Sequence, residues 1–532
     1  MSKRMRAIGI ILSAAMLISS LAGCANGKET NGENTASTIT YNGDAVYPVQ
    51  CDDSLTLWME LSTSVSTSTS DFGETDVAKE LEKETGVKIE YLHPASGMVG
   101  EQFNLLLTSN DLPDIIRYNW HNYGVRKAVN ENFILKLNDM IDKWAPNYKA
   151  YLDEHPEVAK QIKTDEGDIC VFPFIRGDES LCLFSGPIVR KDWLDKLGLP
   201  VPETIDEWEV MLRRFKDEMG ATVPLSMGSM QYFAHGFLTG AYKVVDDYFV
   251  ADDGTVKYGP AEPGYKEFLT RMNKWYKEGL LDKNFPSTDM KIFNGYFLNG
   301  NTGATCGYAA SAMGTLLSSA KDIEGFDLVG APYPVLNKGD RAFSSQWDWQ
   351  YTNTAAWAIS TQCKNPELAV RFLDYGYGEK GQITYNYGVE GKSYEMVDGK
   401  PTFTDLITGS DEAERMVSLY CMTSGSAPSV QWNEIVESRR PYQQQNDAIK
   451  VWQETDVAKH KLPHITLSDE EREKIAGVAT EISTYKYESE YAFIMGERSL
   501  EEFDKYVEQL NELGLPQVLE CYTAAVKRYQ TR

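Results

Sequence analysis

The sequence predicts an α/β protein built as two successive α/β bodies with a helical C-terminal region. Three observations carry this. Strand-like and helix-like periods alternate from Ser54 to Tyr118. A second alternating series begins at Leu183, and about the last seventy residues show helical caps and faces.

In the first series, Leu55-Thr56-Leu57-Trp58-Met59 reads as a buried strand. Ser62 to Ser70 is almost all Ser and Thr, and reads as disorder or a long loop at the strand's carboxyl end, where open α/β sheets bind ligands. Thr75 opens a helix with Val77, Ala78 and Leu81 inward, and Gly86 stops it. Val87, Ile89 and Tyr91 alternate with Lys88 and Glu90 as a strand. A helix over Val99 to Ser109 and a strand at Asp114 to Tyr118 follow, which argues for a parallel sheet.

In the second series, Leu183 to Arg190 is strand-like and Thr204/Glu207 forms a capping box, with Ile205, Trp208, Leu212 and Phe215 on one helical face. Asp252-Asp253-Gly254 separates two short strands, Tyr248–Val250 and Val256–Tyr258. Pro263 to Leu280 is a helix, Phe326 to Pro332 and Ala355 to Ser360 are strands, and Pro366 to Tyr375 is a helix. Capping boxes at Ser468/Glu471 and Ser499/Glu502 open two helices, with Ile475, Ile482 and Tyr485 inward on the first and Phe503, Val507 and Leu510 on the second.

Composition narrows the function. The 532 residues suffice for two to four domains, and 42% hydrophobic with 24% charged residues is ordinary for a globular chain. The net charge of -26 argues against nucleic acid, whose phosphates need clustered cations. Six histidines leave little material for histidine-based metal sites or catalysis. Lys3, Arg4 and Arg6 precede an apolar run, Ala7 to Leu21, too short to span a bilayer and laid out as an export signal. The run ends in Leu21-Ala22-Gly23-Cys24, which looks like a bacterial lipobox, so Cys24 is the expected lipidation site. Residues 25–50 carry no hydrophobic period and read as a flexible tether. No C-x-x-C pair occurs among the other seven cysteines; Cys170 and Cys182 flank a short segment and could pair.

No metal motif is present. Asp246, Asp247, Asp252 and Asp253 cluster without the spacing of a calcium loop and read as a hairpin turn with a solvated face. His460 and His464 have Pro463 between them, against a shared helix. Gly-x-Ser-x-Gly and phosphate loops are missing as well. What remains is aromatic. Trp58 and Glu60 follow the first strand; Asn119, Trp120 and His121 follow the third. Trp347-Asp348-Trp349 precedes a strand, and Tyr387 and Glu390 follow a helix. Aromatic rings interleaved with Asp, Glu, Asn and His suit a sugar, whose C–H face stacks on a ring while its hydroxyls take polar partners. Half-covering one such ring contributes about 2–3 kcal/mol. An acidic protein with such rings suits neutral sugars better than anionic ones.

The run Val189-Arg190-Lys191-Asp192-Trp193-Leu194-Asp195-Lys196-Leu197-Gly198-Leu199, continuing through Pro202-Glu203-Thr204 to Glu207-Trp208, resembles the extracellular solute-binding proteins (family 1) of carbohydrate ABC transporters, in their long Gram-positive lipoprotein branch. Leu112-Pro113-Asp114-Ile115-Ile116, Tyr276-Lys277-Glu278-Gly279-Leu280, Asn365-Pro366-Glu367-Leu368-Ala369 and Gly388-Val389-Glu390-Gly391 match in the same order. The resemblance covers residue 52 to the C-terminus. It implies a two-lobe periplasmic-binding-protein-like fold (type II), each lobe a mixed sheet flanked by helices, closing over an oligosaccharide and passing it to ABC permease subunits without catalysis or cofactor. The expected organisation is a signal peptide over 1–23, a lipidated tether over 24–51, lobe 1 over 52–172 and 327–391, and lobe 2 over 173–326 and 392–532. Crossings fall near Phe172-Pro173, Asp327 and Gly391. The chain is expected to be a monomer held at the extracellular face of the cell membrane by its lipid.

Trp58, Trp120, Trp347 and Trp349 are the expected stacking platforms, with Tyr232, Tyr308, Tyr387 and Trp432 beside them. Glu60, Asn119, His121, Asp348 and Glu390 are the expected hydroxyl partners. A peptide-binding lipoprotein and a surface glycoside hydrolase using paired carboxylates are the alternatives.

Overall fold

The alternation of strand and helix holds from the first ordered element. The computed structural model describes residues 46–109, 111–227, 237–409, 413–422 and 427–532. The expected signal peptide, Cys24 and Tyr232 lie outside the described residues. In chain order the strands are β1 (Ser54–Trp58), β2 (Lys88–Leu92), β3 (Ile115–Tyr118), β4 (Phe172–Arg176), β5 (Ser185–Arg190), β6 (Tyr248–Val250), β7 (Val256–Tyr258), β8 (Ala304–Tyr308), β9 (Leu328–Gly330), β10 (Tyr351–Ile359), β11 (Tyr394–Val397), β12 (Lys400–Phe403) and β13 (Val430–Gln431).

One body is built on a six-stranded mixed sheet in the order β13-β4-β10-β3-β1-β2. β1 runs parallel to β2 and β3, with Leu57 beside Ile115 and Trp58 beside Ile116. The helix Asp76–Thr85 makes the first crossover: the Thr75 hydroxyl accepts from the Ala78 amide at one end, and Gly86, at φ 71°, ends it at the other. β10 enters antiparallel between β3 and β4. The other body is built on the antiparallel sheet β8-β5-β9. Its core joins Trp208 and Phe215 from one helix, Phe268 and Trp275 from a second, and Phe493 and Val518 from the C-terminal helices. The Thr204/Glu207 capping box is formed as expected. Trp452 lies flat on this sheet because its neighbours are glycines: a Cβ on Gly186 would meet the indole at 2.5 Å.

Several expectations are corrected. Ser62 to Ser70 is neither disordered nor only a loop, because Ser62 caps the short helix Thr63–Ser66. β9 pairs with β5 in the smaller sheet, and β13 pairs with β4 in the larger one. Sheet membership therefore changes after Arg176 and after Gly330, close to Phe172-Pro173 and Asp327, and after Gln431, well beyond Gly391. Ile475 ends one helix, Asp469–Lys474, and Gly477 in the left-handed region separates it from the next, Val478–Met495. Ser499 accepts from the Glu501 amide and opens a 3₁₀ turn in place of a capping box. Asp246 is buried, in ion-pair contact with Lys486, so that end of the aspartate cluster is no solvated face. Cys170 and Cys182 are both buried free thiols.

Candidate ligand-binding site

Two of the crossing stretches, 177–184 and 331–350, are tied to each other by buried polar groups. The Gln346 side chain accepts from the amides of Phe184 (2.7 Å) and Ser185 (3.2 Å) and donates to the Cys182 carbonyl (3.3 Å). The Asp348 amide donates to the same carbonyl at 2.7 Å. Arg176 spans the two stretches, donating to the Asp348 carboxylate (3.0 Å) and the Trp349 carbonyl (2.9 Å). These bonds fix the position of Trp347-Asp348-Trp349 between the two stretches.

Trp349 turns toward a third connection. Residues 455–467 form a strap that bridges Phe249 on the smaller body's hairpin through Lys461 and reaches the larger sheet through His464. The Trp349 indole donates to the Leu462 carbonyl at 3.1 Å, and the His464 Nε2–H to the Tyr351 carbonyl at 2.9 Å. The C-terminal helix Leu515–Gln530 fastens the strap from behind: Arg532 donates to the His464 carbonyl, the Lys163 carbonyl and the Asp165 carboxylate.

Between strap, crossing stretch and both bodies lies a cleft of about 600 Å³, within the range of small-molecule sites. His121, Asn122 and Gly124 line it from the larger body, Asp247, Tyr248 and Tyr522 from the smaller, Asp348 and Trp349 from the crossing stretch, and Arg472 from beyond the strap. His121 and His464 meet edge to face, 5.3 Å between centroids. Burial, then His464's neighbour His121, pushes the His464 imidazole down to about 3. His121 is lowered in the same direction by burial and by Arg472 and Arg532. Both rings are thus neutral at physiological pH, and a neutral imidazole can donate from one nitrogen and accept at the other, which suits hydroxyl groups.

Of the expected site residues, His121, Asp348 and Trp349 meet in this cleft. Asn119 lies one turn away, its side chain capping the short helix Trp120–Tyr123 by accepting from the Asn122 amide. Tyr308 is half-buried and stacks on Phe184, with centroids 5.7 Å apart. Trp347 is half-buried against the smaller body's core, and its indole N–H is buried with no partner. Three expectations are corrected. Trp120 is fully buried and donates to the Ile116 carbonyl, Trp58 is 6% exposed against Phe103 and Tyr118, and Tyr387 is 4% exposed against Tyr394 and Phe403. None offers a free face, because each completes a core where a strand or helix ends. Trp432 packs on Tyr387 and donates to Gln382, away from the cleft. Glu390 is exposed beside a separate hollow with Glu80 and Lys380. Glu60 is half-buried near Arg117. The strap, Gly124, Tyr248, Arg472 and Tyr522 went unrecognised in the sequence, where only the His460/His464 pair drew notice.

Among the described residues no group of three or more His, Cys, Asp or Glu side chains is placed to hold a metal ion, and no helix is long and apolar enough to cross a membrane.

The model of the bacterial extracellular solute-binding protein family matches residues 67–383. The fructooligosaccharide ABC transporter substrate-binding protein FusA of Streptococcus pneumoniae serotype 4 is 26% identical over 97% of this chain and 98% of its own. Lipoprotein LipO of Bacillus subtilis is 27% identical over 62% of this chain and 65% of its own. The crystal structure of the alginate-binding protein AlgQ2 without calcium ion superposes with a TM-score of 0.69 at 27% identity, covering 89% of this chain and 98% of that one. The match over more than half the sequence and the shared two-lobe α/β architecture place this chain in the bacterial extracellular solute-binding protein family.

Proposed function

We propose that this chain is a lipid-anchored extracellular binding protein that captures an oligosaccharide between its two bodies and hands it intact to an ABC transporter permease. The cleft carries the reading: both bodies line it, Trp349 gives it a ring for stacking, and neutral imidazoles and carboxylates surround that ring. A ligand touching both walls stabilises the closed arrangement over the open one, which is how binding becomes a signal a permease can read. The lipobox-like Leu21 to Cys24 supports anchoring at Cys24, and the tether expected over 24–51 ends by Tyr47, where Tyr47 donates to the Arg371 carbonyl and Val49 to the Thr85 carbonyl of the larger body. FusA and AlgQ2 are binding proteins, which supports capture without catalysis; one is named for fructooligosaccharides, a neutral class, and the other for alginate, an acidic one.

The test is thermal unfolding of a form beginning after Cys24, against purified oligosaccharides and peptides. A ligand at about 100 times its dissociation constant adds about 2.7 kcal/mol of stability. Trp349→Ala is expected to weaken binding roughly 30- to 150-fold, the loss of about 2–3 kcal/mol of ring contact, while the unliganded protein remains folded. A response to peptides alone would replace this reading with a peptide-binding lipoprotein. A glycan recovered shortened would make the protein a hydrolase.

A further inference from the structure

We infer that the Arg472 wall of the cleft is a subsite for a carboxylate, so that the captured oligosaccharide is an acidic glycan of the uronate type. This rests on the oligosaccharide reading above and sharpens it.

The inference comes from following each charge on that wall to its partner. Glu471 accepts from Arg528 with both oxygens, at 2.8 and 2.6 Å, and also from the Ser468 amide. Asp165 accepts from Arg528 (2.9 Å) and Arg532 (2.8 Å). Glu471 and Asp165 are thus held by Arg528 and Arg532, and the other acids of Arg472's own helix, Asp469, Glu470 and Glu473, make no ion pair with it. The Arg472 guanidinium makes no hydrogen bond and no ion pair among the described residues, its Nε buried without a partner, while its backbone amide donates to the Ser468 carbonyl within the helix. Its guanidinium lies against Gly124, where a Cβ would come within 3.0 Å of Nη2, so the backbone has made room for it at the edge of the cleft. The acids that face the cleft stand elsewhere. Asp348 is paired with Arg176, and Asp247 accepts from the Tyr248 amide with Lys461 nearby.

A guanidinium with a desolvated nitrogen and no acceptor is costly, and the cost is removed when a ligand brings the acceptor. Its planar fork matches a carboxylate with two parallel N–H···O bonds. One unpaired arginine answers one carboxylate, and His121, neutral and on the same wall, can donate to a neighbouring hydroxyl. This revises the expectation of a neutral sugar from overall charge. The chain's net -26 is screened beyond about 8–10 Å at physiological salt, so the ligand in the cleft meets the local wall rather than the sum.

The experiment titrates the chain lacking its leader with uronate trisaccharides (galacturonate, mannuronate, guluronate) and neutral ones (galactotriose, maltotriose, kestose), at low and physiological salt. At least one uronate trisaccharide should bind about tenfold or more tightly than every neutral one, with an affinity that falls as salt rises. Arg472→Gln should erase that advantage and its salt dependence while leaving the melting temperature without ligand in place. Arg472→Lys, which keeps charge but not the fork, should recover only part of it. Neutral sugars preferred by the unaltered chain would overturn the acidic inference and leave the oligosaccharide reading standing. An acidic preference untouched by Arg472→Gln would overturn the assignment of the wall. A chain that binds no member of either set, but does bind peptides, would overturn both.

Discussion

Lys486 and Arg472 are both cations of the C-terminal region, and the fold treats them in opposite ways. Lys486 is 2% exposed, with Nζ 2.5 Å from Asp246 and 2.7 Å from Glu490, each carboxylate 1% exposed. Tyr265 closes the group by donating to Asp246. Burial alone would lower the Lys486 ammonium, but Glu490 and Asp246 outweigh it and hold it charged. Burial pushes the Glu490 carboxyl up, and Lys486 only partly offsets this. This cluster is charge-paired from within and buried, although both Glu490 oxygens lack a well-formed hydrogen bond; it ties the helix Val478–Met495 to the helix Pro263–Glu278 through Tyr265. Arg472 stands at a cleft, with Glu471 taken by Arg528 and Asp165 shared by Arg528 and Arg532. A closed charge cluster holds a body together. A charge left open at a cavity wall is available to something that comes from outside.

The largest effect should come from opening the closed cluster. Lys486→Met leaves two buried carboxylates without a counter-charge, and should cost about 3–5 kcal/mol in urea denaturation. Adding Asp246→Asn and Glu490→Gln to that variant should recover much of the loss, since the uncompensated charges go with them. Arg472→Gln, in contrast, should change stability by less than about 1 kcal/mol, because no internal ion pair is broken. Equal losses from the two cations would erase the distinction.

The two clusters also differ in how well the sequence announces them. Elements with a strong local signature were legible: Thr75 and Gly86 bracket a helix, Thr204 and Glu207 open another, and the hairpin around Gly254 is where its turn residues put it. The crossing that lies far from its expected place involves β13, a strand of two residues whose partner β4 lies far away in the chain, and β9, of three residues, pairs with the equally distant β5. Such short strands leave no period to read. At the site, Trp349 and Trp120 look alike in sequence, each an indole among polar neighbours. Only tertiary packing turns one to the cleft and the other into the core. Arg472 was invisible for a related reason. In Glu470-Glu471-Arg472-Glu473 it reads as one charge on a solvated helix. Its lack of a partner follows from Arg528 and Arg532 reaching back from the chain's end to take the acids.

The cleft wall should show its own pH dependence. His464 is held neutral in the folded protein, its imidazole pushed down to about 3 by burial and by His121, whereas the unfolded chain titrates it near 6.5. Its folded value is depressed, so above pH 6.5 both states are neutral and nothing is lost. As pH falls through 6.5 the unfolded state takes up a proton that the folded state refuses, and stability declines. By pH 5 this group alone should cost about 2 kcal/mol, with the decline continuing toward pH 3. The measurement is denaturant unfolding at pH 7.5 and pH 5 for the unaltered chain and His464→Gln. The substitution should shrink the difference between the two pH values by about that amount. An identical pH difference in both proteins would mean that the strap carries water to His464 and is not closed over it.

A last substitution isolates position from charge. Gly124 has φ 100° and ψ 101°, a backbone that a side chain rarely adopts, and a Cβ there would meet Arg472 Nη2 at 3.0 Å and Cζ at 3.3 Å. Gly124→Ala should therefore cost about 1 kcal/mol or slightly more from the backbone. Its second consequence is the informative one. The guanidinium is the far end of a flexible side chain, so it yields to the new methyl and leaves its place against residue 124. Net charge is unchanged, and every carboxylate keeps its partner. If the uronate preference depends on where the fork stands, Gly124→Ala should reduce it several-fold while neutral trisaccharides bind as before. If the wall acts only through its charge, the preference should survive in this variant and vanish in Arg472→Gln. Isothermal titration of both variants with the same trisaccharides separates a built subsite from a diffuse positive field.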